Sequence, residues 1–361
     1  MKVSYFTYNL KFRHPFTISK GTKTHQPTFI VELGSLPGFA GKGYGEAPAI
    51  SYYNLPVEKM AEDLERKKSF VEKFSFTEPE AYWHYLHDLF PENNFLVCAL
   101  DMAAWDLYGK MKKKKLFELW TEETALTGPA ATRKNPLTDF TIGIDSIANM
   151  VAKMKEKPWP IYKIKLGTPD DVGIVTALRE NTKSILRVDA NAAWDLDTAV
   201  KIIPQLQGMG VELVEQPLAK GNWKEMKMLY QQSSLPLFAD ESCVIESDVD
   251  KCKDHFHGIN IKLTKCGGIT PALRMIKTAR ELNLKIMVGS MNESTIGSAA
   301  IAHLLPWVDY VDMDGPLLLE QDLATGIEYD YGKIIFSGEP GLGIDYTGLV
   351  NKEKGAAVRY I

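Results

Sequence analysis

The sequence predicts an α/β fold, with a (β/α)8 barrel of the TIM type standing behind an N-terminal α+β unit. Three observations predict it. Short apolar runs recur at intervals of about 25 residues between positions 140 and 314, the length of one strand, one loop and one helix. Eight such runs occur, the number that makes a parallel barrel. Residues 1–125 follow another rhythm, first alternating and then helical. The alternative is an open doubly wound sheet, which needs two edge strands and does not usually run to eight evenly spaced units.

Taken in order, Phe6, Tyr8, Leu10 and Phe12 alternate as in a strand, and Pro15 ends that run. Residues 28–33 make a second strand. Gly41, Gly43 and Gly45 punctuate a third, where they serve turns and not phosphate chemistry. Val57, Met60, Leu64, Val71 and Phe74 suit helix faces, and the Ala-rich run at 95–107 suits a helix that packs closely. The four lysines at 112–115 read as a solvated turn. The rhythm changes after Thr127, Gly128 and Pro129. Strands then fall at 140–143, 162–166, 185–189, 211–215, 237–240, 258–262, 285–289 and 310–314, with amphipathic helices between them. Turn and strand signals at 333–336 and 340–344 lie outside the repeat and fold back on the barrel mouth or the N-terminal unit. The chain thus divides into residues 1–125, 126–325 and 326–361.

The 361 residues carry 42 Lys+Arg against 46 Asp+Glu, a net charge of -4, with 45% hydrophobic and 24% charged residues. This balance suits a globular protein with a large core and excludes nucleic-acid binding through bulk positive charge. No stretch has the roughly 18 uncharged apolar residues of a membrane span. Cys98, Cys243, Cys252 and Cys266 are few for this length and form no CxxC pair. Cys252, His255 and His257 cluster below Cys243 at no standard zinc spacing, so they read as ordinary loop or helix residues. With no signal-peptide pattern at the N-terminus, the expected compartment is the reducing cytoplasm.

Five consecutive barrel strands end in an ionisable residue: Lys165, Asp189, Glu215, Asp240 and Lys262. Any one alone is a solvated loop residue. Five in a row at the carboxyl edge converge on one pocket. Three carboxylates gathered there repel one another and raise their own pKa values unless a cation sits among them. All-oxygen ligation favours a hard ion, Mg²⁺ first and Mn²⁺ second. Asn191 and Glu241 stand beside these ligands and fill the shell behind them. Lys163 lies two residues before Lys165 and points the same way, so its ammonium lowers the pKa of Lys165 and makes that lysine a usable base. Lys165 and Lys262 flank the carboxylates from opposite sides. A metal with two facing lysines suits removal of a proton next to a substrate carboxylate, with the ion holding both oxygens of the enediolate.

These residues resemble the enolase superfamily, muconate-lactonising subgroup, over nearly the whole chain. The stretch Gly43, Tyr44, Gly45, Glu46, Ala47, with Tyr52 and Tyr53, resembles the loop of that family's capping domain. Residues 99–107 resemble the helix leading into its modified barrel, and Lys163-Ile164-Lys165 its KxK motif. Asp189-Ala190-Asn191, Glu215-Gln216-Pro217 and Asp240-Glu241-Ser242 resemble its three metal-ligand segments. Residues 260–268 resemble its sixth-strand segment, with Lys262 as second acid/base and Lys265 in support, and residues 340–343 its C-terminal return. Members of the mandelate-racemase branch place a histidine near strand 7. Here that strand ends in Ser290, Met291, Asn292 and Glu293, and His303 falls in the following helix.

Asp312 and Asp314, two residues apart, face one side of strand 8. The resemblance gives this Asp-x-Asp to dipeptide epimerases, where it holds the substrate α-ammonium. It therefore implies a Mg²⁺-dependent epimerase, with one ion per subunit. Such an enzyme inverts the α-carbon of a dipeptide's C-terminal residue by proton transfer between Lys165 and Lys262. The alternative is a muconate-type cycloisomerase or an o-succinylbenzoate synthase-like lyase built on the same metal and lysines. Some family members that act on Ala-Glu place an arginine in the N-terminal loop to meet the glutamate side chain. Gly21 takes its place here, and Lys20 offers a point charge without a fork. A small or apolar second residue is expected, with Ser290, Met291 and Glu293 completing the substrate wall. Loops at 16–26 and 46–54 are expected to cover the pocket. The partners implied are a small dipeptide and, as in related barrels, further copies of the chain, with no nucleic acid and no membrane.

Overall fold

The computed structural model describes residues 1–34, 36–123 and 134–350. The first unit is a three-stranded antiparallel sheet of β1 (Lys2–Ile18), β2 (Gly21–Gly34) and β3 (Gly43–Pro48). Four helices follow: α1 (Val57–Lys73), α2 (Pro79–Leu89), α3 (Asn94–Lys112) and α4 (Leu116–Glu123). Lys113 ends α3 with a positive φ, and residues 111–113 are exposed.

Two expectations here need correction. β1 does not stop at Pro15 but runs on to Ile18. Proline has no N–H to give to a ladder, so pairing lapses around it. Lys11 pairs with His25 and Phe16 with Lys23, so residues 12–15 oppose Thr24 alone. The glycines of the third strand, in turn, do not serve turns. Gly43 and Gly45 lie inside β3, and a Cβ on them would stand 2.1 Å from Ala103 O and 2.0 Å from Ala99 O. Strand and Ala-rich helix touch backbone to backbone, and only glycine permits that approach.

β2 is buried on both faces. Phe29, Val31 and Leu33 pack with Met60, Leu64 and Leu86 of the helices, while Ile30 faces the other way into the barrel-side core with Leu10 and Phe12. α3 joins the two units. Asp101 accepts hydrogen bonds from Thr270 Oγ1 (2.6 Å) and Thr270 N (3.0 Å), and Trp105 Nε1 donates to Thr270 Oγ1 (2.9 Å). Buried Glu46 on β3 also reaches across, accepting from Thr28 Oγ1, Ser294 N and Oγ, and Gly297 N. Burial pushes its carboxyl above the usual range, and these donors pull it only part of the way back.

The second unit is an eight-stranded parallel sheet, each strand beside its sequence neighbour. Its strands are β4 (Phe140–Ile142), β5 (Ile161–Lys165), β6 (Ile185–Asp189), β7 (Val211–Glu215), β8 (Leu237–Ala239), β9 (Gly258–Ile261), β10 (Lys285–Gly289) and β11 (Tyr310–Asp312). Thr138, two residues before β4, meets β11 through a parallel bridge to Val311, and its Oγ1 accepts a 2.9 Å bond from Met313 N. That contact nearly closes the barrel. Between the strands run α5 (Ile147–Glu156), α6 (Asp171–Asn181), α7 (Leu196–Gly208), α8 (Trp223–Gln232), the short α9 (Val249–Cys252) and α10 (Leu263–Cys266), α11 (Ile269–Glu281) and α12 (Thr295–Ala302). The last unit has only a single turn, α13 (Gly315–Leu318). All of β5 and all of β6 but Ile185 at its start are buried, on both faces, as a parallel barrel under helices requires.

Beyond the barrel, β12 (Asp322–Thr325) pairs with β15 (Asp345–Val350), and β13 (Ile327–Asp330) with β14 (Lys333–Phe336). This segment touches the first unit. Leu342 N donates to Asp106 (2.8 Å), and Tyr346 stacks on Tyr44 at 4.7 Å. The expected boundary at residue 125, with Thr127, Gly128 and Pro129, and the end of the chain at 351–361 lie outside the described residues. No helix among those residues is long and apolar enough to cross a membrane. All four cysteines are free and buried.

Candidate active site

Strand register builds the site. Lys165 of β5 lies level with Asp189 of β6, and Asp189 level with Glu215 of β7. Glu215 pairs with Phe238, and Asp240 lies two residues past it, on the same face. One oxygen from each of Asp189, Glu215 and Asp240 lies within 4.8 Å of the others, and all three residues are buried. They are the one group of three or more ligating side chains found together among the described residues.

Their partners orient them. Asp189 Oδ1 accepts from Asn191 N (2.8 Å) and Glu215 Oε1 from Asn260 Nδ2 (2.9 Å). Gln216, at a φ of 37°, turns its Oε1 to the amides of Asp240 and Ser242, both at 3.0 Å, and so fixes the loop that presents Asp240. Lysines fill the remaining space. Lys163 Nζ lies 2.7 Å from Asp312, 2.7 Å from Glu215 and 3.4 Å from Asp189. Lys165 Nζ is 2.6 Å from Asp189 Oδ2, and Lys262 Nζ is 2.7 Å from Asp240 Oδ2. Lys265 Nζ binds Asp240 Oδ1 (2.5 Å), Asp240 O (2.7 Å) and Cys243 O (3.0 Å).

The sequence expectation is that these carboxylates raise one another's pKa values unless a cation sits among them, and lysine ammoniums sit among them. Burial pushes each of them up. At Asp189 the ammoniums of Lys165 and Lys163 overcome it and bring the group to about 2. At Asp240, Lys262 and Lys265 hold the carboxyl well below its usual range. Glu215 alone is raised, to about 7, by burial and the charge of Asp189. Lys163, the neighbour of Lys165, is itself paired with three carboxylates. Its burial is outweighed by Asp312, Glu215 and Asp189, which hold its pKa above the ordinary lysine value. The donor set is three buried carboxylate oxygens with no sulfur and no imidazole. It fits a hard divalent ion such as Mg²⁺.

Above this layer lies a cavity of about 220 Å³. Lys165, Lys262, Asp240 and Asn191 reach it from the barrel, and Asp312 and Asp314 from the end of β11. The β1–β2 hairpin covers it with Phe16, Ile18, Lys20 and Gly21, and residues 50–53 with Tyr52 and Tyr53. Ser290 and Met291 also line it. Lys163, Asp189, Glu215 and Lys265 lie beneath the lining. Glu293 does not reach the cavity as expected. Its side chain is buried behind the strand-7 loop, where Oε2 accepts from Met291 N (2.7 Å). Glu241, expected beside the ligands, pairs with Lys20 Nζ at 2.6 Å, and that ammonium lies 4.2 Å from the Tyr52 ring centre. His303 packs among Phe117 and Phe336, and burial pushes its imidazole down to about 4.

Sequence reasoning passed over Thr141, whose amide donates to Asp314 Oδ2 (2.5 Å), and the parts played by Gln216 and Asn260. It also missed the buried pair of Arg187 and Asp139 (3.0 Å) inside the barrel. Charged residues within otherwise apolar strands were the available signal.

Carboxylates for a divalent ion, with lysines on either flank at the carboxyl end of a barrel, define a metal-assisted acid–base enzyme. Residues 146–349 match the family model described as Enolase C-terminal domain-like, and the chain belongs to the enolase superfamily, in its muconate-lactonising subgroup. It is 48% identical over 344 residues to the L-Ala-D/L-amino acid epimerase of Flavobacterium johnsoniae, covering 95% of this chain and 99% of that one. It is 36% identical to the L-Ala-D/L-Glu epimerase of Bacteroides thetaiotaomicron, over 95% and 88%. The structure is similar to a substrate-liganded complex of the L-Ala-D/L-Glu epimerase from Bacillus subtilis, with a TM-score of 0.88, 28% identity and coverage of 97% and 100%. A dipeptide epimerase from Cytophaga hutchinsonii, complexed with Mg and D-Ala-L-Val, gives 0.86 at 26% identity, covering 95% of each chain.

Proposed function

We propose that this chain is a dipeptide epimerase that inverts the α-carbon of the C-terminal residue by proton transfer between Lys165 and Lys262. One observation carries the reading: the two ammonium groups stand on different members of the carboxylate triad, Lys165 on Asp189 and Lys262 on Asp240. A substrate α-carbon between them presents one face to each. The lysine on one side, as the neutral amine, takes the α-proton, so that the C–H bond breaks and an N–H bond forms. The lysine on the other side, as the ammonium, returns a proton to the opposite face. A divalent ion held by Asp189, Glu215 and Asp240 supplies positive charge against the negative charge that grows on the substrate carboxylate. The hairpin and residues 50–53 exclude water above.

Asp312 and Asp314 take the α-ammonium in this reading. Gly21 adds no side chain, and the charge of Lys20 is already met by Glu241, which supports a small or apolar second residue such as in Ala-Ala. The reading divides the chain into a cap at 1–125, a catalytic barrel at 126–325 and a returning segment at 326–361. It places the enzyme in the reducing cytoplasm, which four free cysteines support, and expects the barrels to self-associate.

The ammonium subsite has its own test. Asp312 is engaged by Lys163, so Asp314→Asn is the cleaner change. A charged hydrogen bond contributes roughly 1.5–3 kcal/mol. The KM for L-Ala-L-Ala is therefore expected to rise about 10- to 150-fold, and that for N-propionyl-L-alanine, which lacks the ammonium, far less. Steady-state kinetics on both compounds decide it, and equal losses remove the subsite.

A further inference from the structure

A second cavity, of about 420 Å³, lies beside the first. Its walls are residues 12–16 of β1, Phe140, Thr141 and Gly143 of the first barrel unit, α5, and residues 316–318 of α13. Two residues line both cavities: Thr141 and Phe16. Thr141 belongs to a barrel strand, and its amide is tied to Asp314. Its part of the partition is fixed backbone. Phe16 supplies the rest as a side chain. The ring is half-buried and stacks on Phe12, with centroids 5.4 Å apart and planes at 14°.

The Pro15 excursion explains why a ring stands at that point. Pairing lapses after Lys11 and resumes at Phe16, which pairs with Lys23. Residues 12–15 therefore bow away from β2 and form one side of the second cavity. Phe16, where the strand rejoins the ladder, stands at the junction. Asp314, Thr141 and Phe16 all line the substrate cavity, and the last two continue into its neighbour.

We propose that Phe16 ends the substrate pocket just beyond the α-ammonium subsite and so restricts the enzyme to dipeptides. Removing the ring joins the two cavities and admits a peptide that is one residue longer at its N-terminus. The inference rests on the proposed function, because Asp314 must mark the amino end of the substrate. Phe12, Phe140, Leu317 and Leu318 give the second cavity an apolar wall. Among the charged groups around it, Lys153 meets Asp145 at 2.9 Å and His14 meets Glu156 at 3.1 Å, Lys157 lies 5.3 Å from the Trp159 ring centre, and Arg13 also lines the space. A small apolar residue such as alanine suits that space.

The test follows α-proton exchange at the C-terminal residue of L-Ala-L-Ala and L-Ala-L-Ala-L-Ala, in deuterated water with Mg²⁺. The wild type, Phe16→Ala and Phe16→Leu are compared. The ratio of tripeptide to dipeptide kcat/KM is expected to rise about tenfold or more in Phe16→Ala and by less in Phe16→Leu. Circular dichroism reports whether each variant is folded, and Phe16→Leu carries the same criterion alone if the alanine variant is not. An unchanged ratio overturns the inference. So does a wild type that already exchanges the tripeptide as fast as the dipeptide. A wild type that exchanges neither L-Ala-L-Ala nor any other dipeptide overturns the proposed function instead.

Discussion

Alanine in place of Lys165 or Lys262 is expected to abolish epimerisation and leave the fold intact. Inversion needs a proton taken from one face and another delivered to the opposite face, so either lysine alone completes half of the reaction. A positioned acid or base contributes about 10²–10⁴-fold, and the loss of one lysine should lower turnover by at least that much. The fold survives because neither carboxylate is left alone. Asp189 keeps Lys163 at 3.4 Å, and Asp240 keeps Lys265 at 2.5 Å. In deuterated water each single variant should still exchange the α-proton of one stereoisomer, and the two variants should differ in which. Proton NMR of each purified isomer checks this. A Lys165→Ala/Lys262→Ala double variant with wild-type turnover contradicts the two-base mechanism.

Glu215→Gln is expected to be nearly as damaging, by another route. Glu215 is central among the three ligands, with Asp189 level beside it on β6 and Asp240 just past its partner Phe238 on β8. It also takes hydrogen bonds or ion pairs from Asn260 and Lys163. Glutamine preserves the shape and removes a charge. A bound cation contributes several kcal/mol of charge stabilisation, and each 1.36 kcal/mol is tenfold in rate. Turnover should therefore fall by about 10²–10³-fold, and the Mg²⁺ concentration for half-activity should rise. Calorimetric titration with Mg²⁺ separates weak binding from failed chemistry. Wild-type affinity in this variant would remove Glu215 from the ligand set.

Much of this was legible along the chain because parallel barrels repeat. Lys165, Asp189 and Glu215 each end a strand, and register brings strand ends together without any knowledge of loops. What sequence did not show depends on contacts that follow no period. Lys20 and Glu241 are 221 positions apart, and nothing local to either announces that they neutralise one another. Glu293 looks as available as Met291 beside it, yet its carboxylate turns inward to hold Met291 N. Pro15 carried a correct local message, the loss of a ladder bond. The strand still resumes at Phe16, because Lys23 opposite restores the pairing. Gly43 and Gly45 spell turns by composition, and only the approach of Ala99 and Ala103 reveals why they are small.

The most direct test is deuterium uptake at the C-terminal α-carbon of L-Ala-L-Ala, followed by mass spectrometry before chelation, after exhaustive chelation and after Mg²⁺ is restored. Three buried carboxylates working through a divalent ion predict uptake that disappears with the metal and returns with it. Undiminished uptake by the chelated protein would contradict the account.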